Sequence, residues 1–511
     1  MMSSQPSDKT PVPQSARAPA RASDAELERR VTLLTGASGY VGGRLLGRLE
    51  RSGRRLRCLS RHPETLRKLV QGGTEVVAGD VLDQRSLRRA LRGVHTACYL
   101  VHSMGHGSDF EELDHHAATQ FGAAAAAAGV SQIVYLGGLG DARDLSPHLA
   151  SRHEVGELLR AGGVPTVELR ASIVIGSGSA SFETVRALVE QLPAIVAPPW
   201  TETLAQPIAI DDVIASLMTA LSFANPVDAT YEIGGTDRVT YVQLMSEYAR
   251  QRGLHRGLLR VPLVTPRVAQ SLLPALVPDH GRIAAAMVDS LRNETVVRER
   301  APIGPSPRQS LGVPAAIAQA LAEEDREFAQ LRFSEALDAG KRQRFGGLAY
   351  GRRLVSSRVA RLDEQGRADA FGPVERIGGE TGWYAANWFW ALRGVLDRMR
   401  GGVGRRRGRR DPRRLRVGDE VDFWRVECVE HGRLLRLSAE MKMPGRLWLQ
   451  FELNGAEHPA MLRQTTIFDP AGYVGRAYWY LLYPVHRWVF ARMLRGISRA
   501  ARSEIPAVSR A

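Results

Sequence analysis

Residues Val31 to Leu49 read VTLLTGASGYVGGRLLGRL. The β-branched and aliphatic run Val31, Leu33 and Leu34 meets three glycines, Gly36, Gly39 and Gly42, after which Leu45, Leu46 and Leu49 recur at helical spacing. That order predicts a strand, a glycine turn and a helix. In such a turn the first glycine permits the tight reversal and the second lets backbone N–H groups approach a pyrophosphate. The third lets the helix pack closely on the strand with its N-terminus toward the anion. The stretch therefore reads as a nucleotide-binding βα unit, with Gly36, Ser38, Gly39, Tyr40, Val41 and Gly42 around a dinucleotide. An ordinary glycine turn is the alternative.

Working outward, the run Leu56 to Ser60 predicts a second strand ending in Ser60-Arg61. A carboxylate at this strand end accepts from the 2′-hydroxyl of NAD, whereas an arginine pairs with the 2′-phosphate of NADP. Neither Ser60 nor Arg61 is acidic, which favours NADP and leaves NAD as the alternative. Thr74 to Ala78 is a third strand, followed by Gly79, Asp80 and Val81, with Asp80 and Val81 placed to meet the adenine. Val94 to Val101 is a fourth, ending in His102 on the nicotinamide side. Asp114 to Gly129 is an alanine-rich helix with a small face, and Ile133 to Leu136 a fifth strand. Strands alternating with helices at this spacing predict an α/β fold with a doubly wound parallel sheet and right-handed crossovers.

The segments TGASGYVGGRLL, AGDVLD, IVYLGGLGD, SRHEVGELLR and LRASIVIGSG together resemble an atypical short-chain dehydrogenase/reductase of the NmrA-like group. QPIAIDDVIASLM and YEIGGTDRVTYVQLM resemble the substrate-side segments of extended members. The resemblance spans about residues 30–300 and implies a Rossmann domain with a substrate lobe and NAD(P)-dependent oxidoreductase chemistry. It also implies a Ser after the fifth strand and a Tyr-x-x-x-Lys pair, the Tyr working as general acid/base beside the Lys. This chain departs from that pattern: His148 stands at the Tyr position and Arg152 at the Lys position, making them the candidate catalytic pair. Gly137 and Gly138 occupy the Ser region, and Gln120 replaces a usual Asn. An arginine stays charged at working pH, while an imidazole can exchange protons near neutrality. A loop histidine beside Pro147, with no catalytic duty, is the plainer alternative.

His102, His106, His115 and His116 cluster in sequence, yet adjacent helical histidines diverge and no metal site is expected. Asp211 and Asp212 read as helix N-terminal caps. Val261 to Pro278 is too broken by proline and by Arg267 to span a membrane, and can cover a substrate cleft or pack on the next domain. Residues 301–350 read as a connector that turns first to proline and then to the amphipathic helix AIAQALAEEDREFAQL.

From Arg352 the pattern changes to alternating strands and tryptophan-rich turns, with an aromatic helix carrying Trp383, Trp388 and Trp390 and a long aromatic helix at the end. Such a pattern predicts an antiparallel sheet gripping a helix. GDEVDFWRVE, LRLSAEMKMPGRLWLQFEL and YWYLLYPVHRWVF resemble DUF2867, a bacterial domain regarded as SRPBCC-like and typically fused behind an NmrA-like Rossmann domain. The resemblance implies an α+β helix-grip domain over 351–511 that can hold an apolar ligand; core packing is the other reading of its Trp and Tyr residues. Arginines between Arg405 and Arg416 form a basic run that reads as a solvated loop, with anionic lipid as the other reading. Tyr473 to Leu494 is interrupted by arginines and Pro484, which argues against a membrane span.

The 511 residues carry 69 Lys and Arg against 54 Asp and Glu, a formal charge of +15 that favours anionic partners. Arginine is spread along the whole chain, so a general compositional bias serves as well, and no specific nucleic acid is expected. Three unpaired cysteines, Cys58, Cys98 and Cys428, suggest a reducing compartment. Residues 1–29 lack an apolar signal core and read as a disordered extension, with an organellar transit peptide as the alternative. The expectation is a cytoplasmic NADPH-dependent reductase of a small apolar carbonyl or quinone-like substrate. Two alternatives stand beside it: a non-catalytic NADP(H)-sensing regulator, and a membrane-associated assembly or quinone-related factor touching an anionic surface.

Overall fold

The computed structural model describes residues 19–102, 110–141, 145–276, 288–298, 310–330, 348–350, 353–362, 371–379, 381–385, 387–399, 414–454 and 461–503, with a few single positions between them. His106, Arg405, Arg406 and Arg407, and most of the expected N-terminal extension, lie outside the described residues. The chain divides into two compact units, Met1–Glu327 and Phe328–Ala511.

The first unit is built on seven parallel strands: β1 (Val31–Thr35), β2 (Arg55–Ser60), β3 (Glu75–Ala78), β4 (Thr96–Tyr99), β5 (Gln132–Gly138), β6 (Thr166–Ala171) and β7 (Ala229–Ile233), in the spatial order β7-β6-β5-β4-β1-β2-β3. Central strands of a parallel sheet are covered on both faces and so must be apolar throughout. Leu33, Leu34 and Thr35 are accordingly sealed from solvent. The order reverses between β1 and β4, and in open α/β sheets ligands bind beyond the strand C-termini at such a switch point. Thr35 stitches that point together, its hydroxyl donating to Cys98 O at 3.2 Å and accepting from Leu100 N at 3.2 Å.

Helices α1 (Tyr40–Arg51), α2 (Gln84–Leu91), α3 (Phe110–Ala127) and α4 (Pro147–Ala161) flank the sheet. The small face of α3 fulfils its reading: Ala117, Ala118, Ala124 and Ala125 are buried, and a side chain at Gly162 would run into the backbone of Gly122. The substrate-side lobe adds α5 (Ala180–Gln191), α6 (Ile210–Ala220), α7 (Tyr241–Gln251), α8 (Pro266–Leu276) and α9 (Val313–Gln330). The helix read as a connector, α9, sinks Val313, Ala316, Ile317 and Ala320 into a core shared with Phe182 and Tyr248, so its first turns pack with this unit. Asp211 and Asp212 do not cap their own helix, whose N-cap is Ala209. Asp212 accepts from Leu311 N at 3.0 Å and Asp211 from Gln319 at 2.5 Å, tying α6 to the approach to α9 instead.

The second unit is an antiparallel sheet of β8 (Leu348–Tyr350), β9 (Arg353–Arg361), β10 (Glu420–Val421), β11 (Trp424–Glu430), β12 (Leu434–Ala439), β13 (Gly445–Asn454) and β14 (Met461–Pro470), in the order β8-β9-β14-β13-β12-β11-β10. It carries α10 (Asn387–Met399) and the long α11 (Gly472–Ser503), which packs on β14 and β9. This is the α+β, helix-grip-like arrangement expected. Trp383 lies before α10 rather than on it; its indole N–H donates to Asp422 at 2.7 Å and its ring stacks on Phe423 at 6.2 Å. Trp383, Trp390, Phe423 and Trp424 are buried against one another, the packing that aromatic faces and edges favour. Arg409, read as part of a solvated run, instead donates to the Ile377 and Glu375 carbonyls at 3.0 and 2.7 Å.

Candidate functional site

The turn after β1 shows why its glycines are there. Gly36 has φ +70°, and a side chain on it would strike the Leu100 carbonyl; one on Gly42 would strike the Gly36 carbonyl. Gly39 N donates to Gly36 O at 2.9 Å, closing the turn, and Gly39 is the N-cap of α1. The first N–H groups of a helix have no intrahelical acceptor and attract anions, and the first turn of α1 holds no acidic residue to compete. The glycines thus let strand, turn and helix close on one another into a cradle, with the first α1 N–H groups presented at the turn, which fits a pyrophosphate.

A cavity of about 720 Å³ opens beside this cradle, within the range of small-molecule and cofactor sites. Gly36, Gly39, Tyr40, Val41 and Gly42 line it, as do His102, His148 and Arg152. Its remaining wall is largely apolar: Leu100, Val101, Leu136 and Leu149 come from the parallel-sheet half, and Leu188, Leu192, Ile195, Trp200, Met245 and Leu273 from the second lobe. Val264, Ala269 and Leu272, from the proline-broken segment, also contribute.

His148 sits in the first turn of α4, not in a loop. Ser146 caps that helix, accepting from Leu149 N at 3.3 Å, and Ser146 N donates to Asn293 Oδ1 at 3.0 Å. The Ser146 and Ser290 hydroxyls lie 2.9 Å apart, and Ser290 Oγ reaches His148 Nδ1 at 3.3 Å. The His102 ring is 5.3 Å away, centroid to centroid. Burial first, then the charges of His102 and Arg152, push the His148 imidazole down from 6.5 to about 3; Asp114 opposes them. His148 is therefore a neutral hydrogen-bonding group across ordinary pH. His102 is likewise lowered by burial, against the Asp114 carboxylate, which lies 2.6 Å from its Nδ1 and is itself 2% exposed.

Arg152 lies over the Tyr135 ring at 5.4 Å and donates to the Leu136 carbonyl, while the Tyr135 hydroxyl donates to Arg152 O at 3.0 Å. The glycines in the Ser region have a packing cause. A side chain at Gly137 would meet the buried carboxylate of Glu168, and one at Gly138 would meet Leu149 of α4. Glu168 is sealed from solvent and held by Arg160 at 2.8 Å and Arg170 at 2.7 Å, the pairing a buried carboxylate requires. Gln120 faces His116, 2.6 Å away, and does not line the cavity.

Ser38, Ser60, Arg61, Asp80 and Val81 also stand outside that lining. Ser60 is buried at the end of β2 and accepts from His62 N at 3.1 Å; Arg61 beside it is exposed. Asp80 Oδ1 accepts from Leu82 N at 3.0 Å in a local turn beyond β3. His115 contacts Glu154 at 2.8 Å, and among the described residues no three His, Cys, Asp or Glu side chains group as metal ligands. Burial pushes the Cys58 and Cys98 thiols up to about 12. Asp114 and Ser290 were not legible as site residues: neither sits in a motif, and each meets its histidine only through the fold.

A protein-family model described as NAD(P)H-binding matches residues 36–172, and one described as a protein of unknown function, DUF2867, matches residues 348–493. The chain is 32% identical over 232 residues to the (4-alkanoyl-5-oxo-2,5-dihydrofuran-3-yl)methyl phosphate reductase of Streptomyces griseus, covering 43% of this chain and 73% of that protein. It is 26% identical over 240 residues to the ceramide reductase of Caulobacter vibrioides, covering 46% and 74%. Among solved structures, Citrobacter triphenylmethane reductase complexed with NADP(H) aligns over 57% of this chain and 99% of its own, at 20% identity and a TM-score of 0.46. From its own glycine cradle and parallel sheet, the NAD(P)H-binding model and the Streptomyces reductase matched at 32% identity over 73% of that protein, the chain belongs with the NAD(P)H-binding reductases, as an NAD(P)-binding oxidoreductase with a C-terminal DUF2867 domain.

Proposed function

We propose that the protein is an NADPH-dependent reductase of an apolar carbonyl or quinone-like substrate. The observation that carries this reading is the cavity itself: the glycine cradle, two imidazoles and a largely apolar wall line one space. The name of the Caulobacter relative, a reductase of ceramide, agrees with an apolar substrate, and that of the Streptomyces relative with a substrate carrying an alkanoyl chain beside a phosphate.

Backbone N–H groups around Gly39 to Gly42 hold the pyrophosphate, with Ser38 in the same turn. Arg61 takes the 2′-phosphate, with no carboxylate at the end of β2 to repel it. Ser60 shapes that turn, and Asp80 and Val81 border the adenine. Bound NADPH supplies the hydride. With the Ser290 hydroxyl donating to Nδ1, His148 carries its proton on Nε2 and donates a hydrogen bond to the substrate oxygen. The proton that completes the alcohol comes from water, because a neutral imidazole is a weak acid. His102, oriented by Asp114, holds the other side of the polar patch, and Arg152 adds a fixed positive charge that favours the developing oxyanion.

The test titrates NADPH and NADH binding and follows NADPH oxidation against aldehydes, ketones and quinones bearing alkyl chains of increasing length. Tight NADPH binding, turnover that rises with chain length, and loss of turnover in His148→Ala support the proposal. Arg61→Ala should weaken NADPH by about 1.5–3 kcal/mol, tenfold or more, and leave NADH unchanged. Tight binding without turnover on any substrate would replace the reductase with an NADP(H) sensor.

A further inference from the structure

Helix α11 shows an unusual distribution of apolar residues. Its inner face, with Trp479, Tyr483, Val489, Phe490, Met493 and Ile497, is buried in the core of the second unit. The opposite face is apolar too, and it is exposed. Tyr473, Val474, Tyr480, Leu481, Val485 and Trp488 follow one another at helical spacing, with Val474 71% and Leu481 78% exposed. An apolar stripe of this length, outside a core and four turns long, marks an interaction surface rather than chance exposure.

The charge on the same helix says what kind of surface it meets. Residues 472–503 contain six arginines, Arg476, Arg487, Arg492, Arg495, Arg499 and Arg502, and no aspartate or glutamate. Arg487 and Arg495 join Arg358 of β9 around an open groove of about 520 Å³ that Tyr483 and Trp488 also line. Arg492 lies over the Trp488 ring at 4.3 Å. Three guanidiniums around one groove suit a phosphate, since arginine forks match its oxygens. The apolar stripe beside them suits acyl chains, with Trp and Tyr at the boundary between the two. No described helix is long and apolar enough to cross a bilayer, so the helix would lie along the surface.

We infer that the outer face of α11 docks the protein on an anionic phospholipid surface, with Leu481, Val485 and Trp488 entering the acyl boundary and Arg487 and Arg495 on headgroup phosphates. Nucleic acid would be attracted by the arginines and would have no use for the exposed leucine and valines. The inference does not depend on the reductase reading, because α11 contributes nothing to the cofactor cavity.

The experiment is co-sedimentation of the full-length protein with phosphatidylglycerol-containing vesicles and with pure phosphatidylcholine vesicles, at low and high salt. The wild type should pellet with the anionic vesicles and be released by salt. Arg487→Gln with Arg495→Gln should weaken partition about twenty-five-fold, each arginine near an anionic surface being worth roughly fivefold. Leu481→Glu should weaken it about tenfold or more through lost apolar burial, and Val474→Glu should act in the same direction. All four positions are exposed, and unchanged far-ultraviolet circular dichroism and thermal unfolding will show that the fold is intact. Failure of the wild type to pellet with anionic vesicles overturns the inference. So does loss of binding in the arginine variant with full retention in Leu481→Glu and Val474→Glu, which would mean simple anion attraction. A stable wild-type dimer that Leu481→Glu dissociates, without vesicle binding, would assign the face to a second copy of the chain.

Discussion

At the scale of single residues, the site combines a histidine kept neutral and a histidine braced by a carboxylate. His148 is faced by His102, Arg152, Asp114 and Ser290. An unfolded chain binds a proton at this residue below about pH 6.5, whereas the folded chain resists doing so down to about pH 3. Across that window the unfolded state holds the extra proton, so folding stability falls as the pH drops and is fully present above it, by at most about 1.4 kcal/mol per pH unit. Urea unfolding above pH 6.5 and again about two units lower should show a steeper loss in the wild type than in His148→Gln; equal slopes would mean that the imidazole charges freely in the folded protein. Asp114→Asn tests the brace. Its carboxylate fixes the His102 ring and tautomer, so the variant should keep NADPH affinity, lose about tenfold to a hundredfold in kcat and shift its pH–rate profile. A uniform loss of folded protein with an unchanged profile would reduce Asp114 to a packing role.

At the scale of elements, the β1 turn and the start of α1 form one device, because a Cβ on Gly42 would run into the Gly36 carbonyl oxygen. Gly42→Ala must therefore move the helix away from the strand. We expect a stability loss of about 1–3 kcal/mol together with weaker NADPH binding, read by thermal unfolding and by titration. Gly43→Ala, whose added methyl meets only the Ala37 carbonyl at 3.5 Å, should leave both close to wild type. This device was legible in the sequence because strand, glycines and helix are contiguous and each residue type has a local cause. The seven-stranded parallel sheet followed from the same kind of repetition. His148 and Arg152 were legible only by aligning SRHEVGELL with a helix whose usual residues are absent. Long-range partners could not be read at all: Asp114 reaches His102 across a segment with no periodic signal, and Ser290 reaches His148 from 142 residues away. The Ser-region glycines were visible, but their causes, the buried Glu168 carboxylate on the neighbouring strand for Gly137 and Leu149 of α4 for Gly138, appear only once the elements are packed together.

At the scale of the whole molecule, the two units keep separate accounts of structure. Every residue lining the cofactor cavity lies within Met1–Glu327. The hydrophobic clusters behave the same way: those around Leu34, Leu33, Phe182 and Ala269 are confined to the first unit, and those around Trp383 and Val355 to the second. Shared burial is what makes folding cooperative, so a unit whose described core residues are all its own should fold when separated. A fragment of residues 1–327 is long enough to retain α9 through its buried turns, where cutting at residue 300 would strip Val313, Ala316, Ile317 and Ala320 from their core. We therefore expect the 1–327 fragment to unfold in one transition and to bind NADPH as the intact chain does. A fragment ending at 300 should be markedly less stable, since truncating even one such core residue costs on the order of 2 kcal/mol or more. The 1–327 fragment lacks α11 and should stay in the supernatant when mixed with anionic vesicles. Binding of NADPH by the intact chain and its loss in the longer fragment would show instead that the second unit completes the cofactor site.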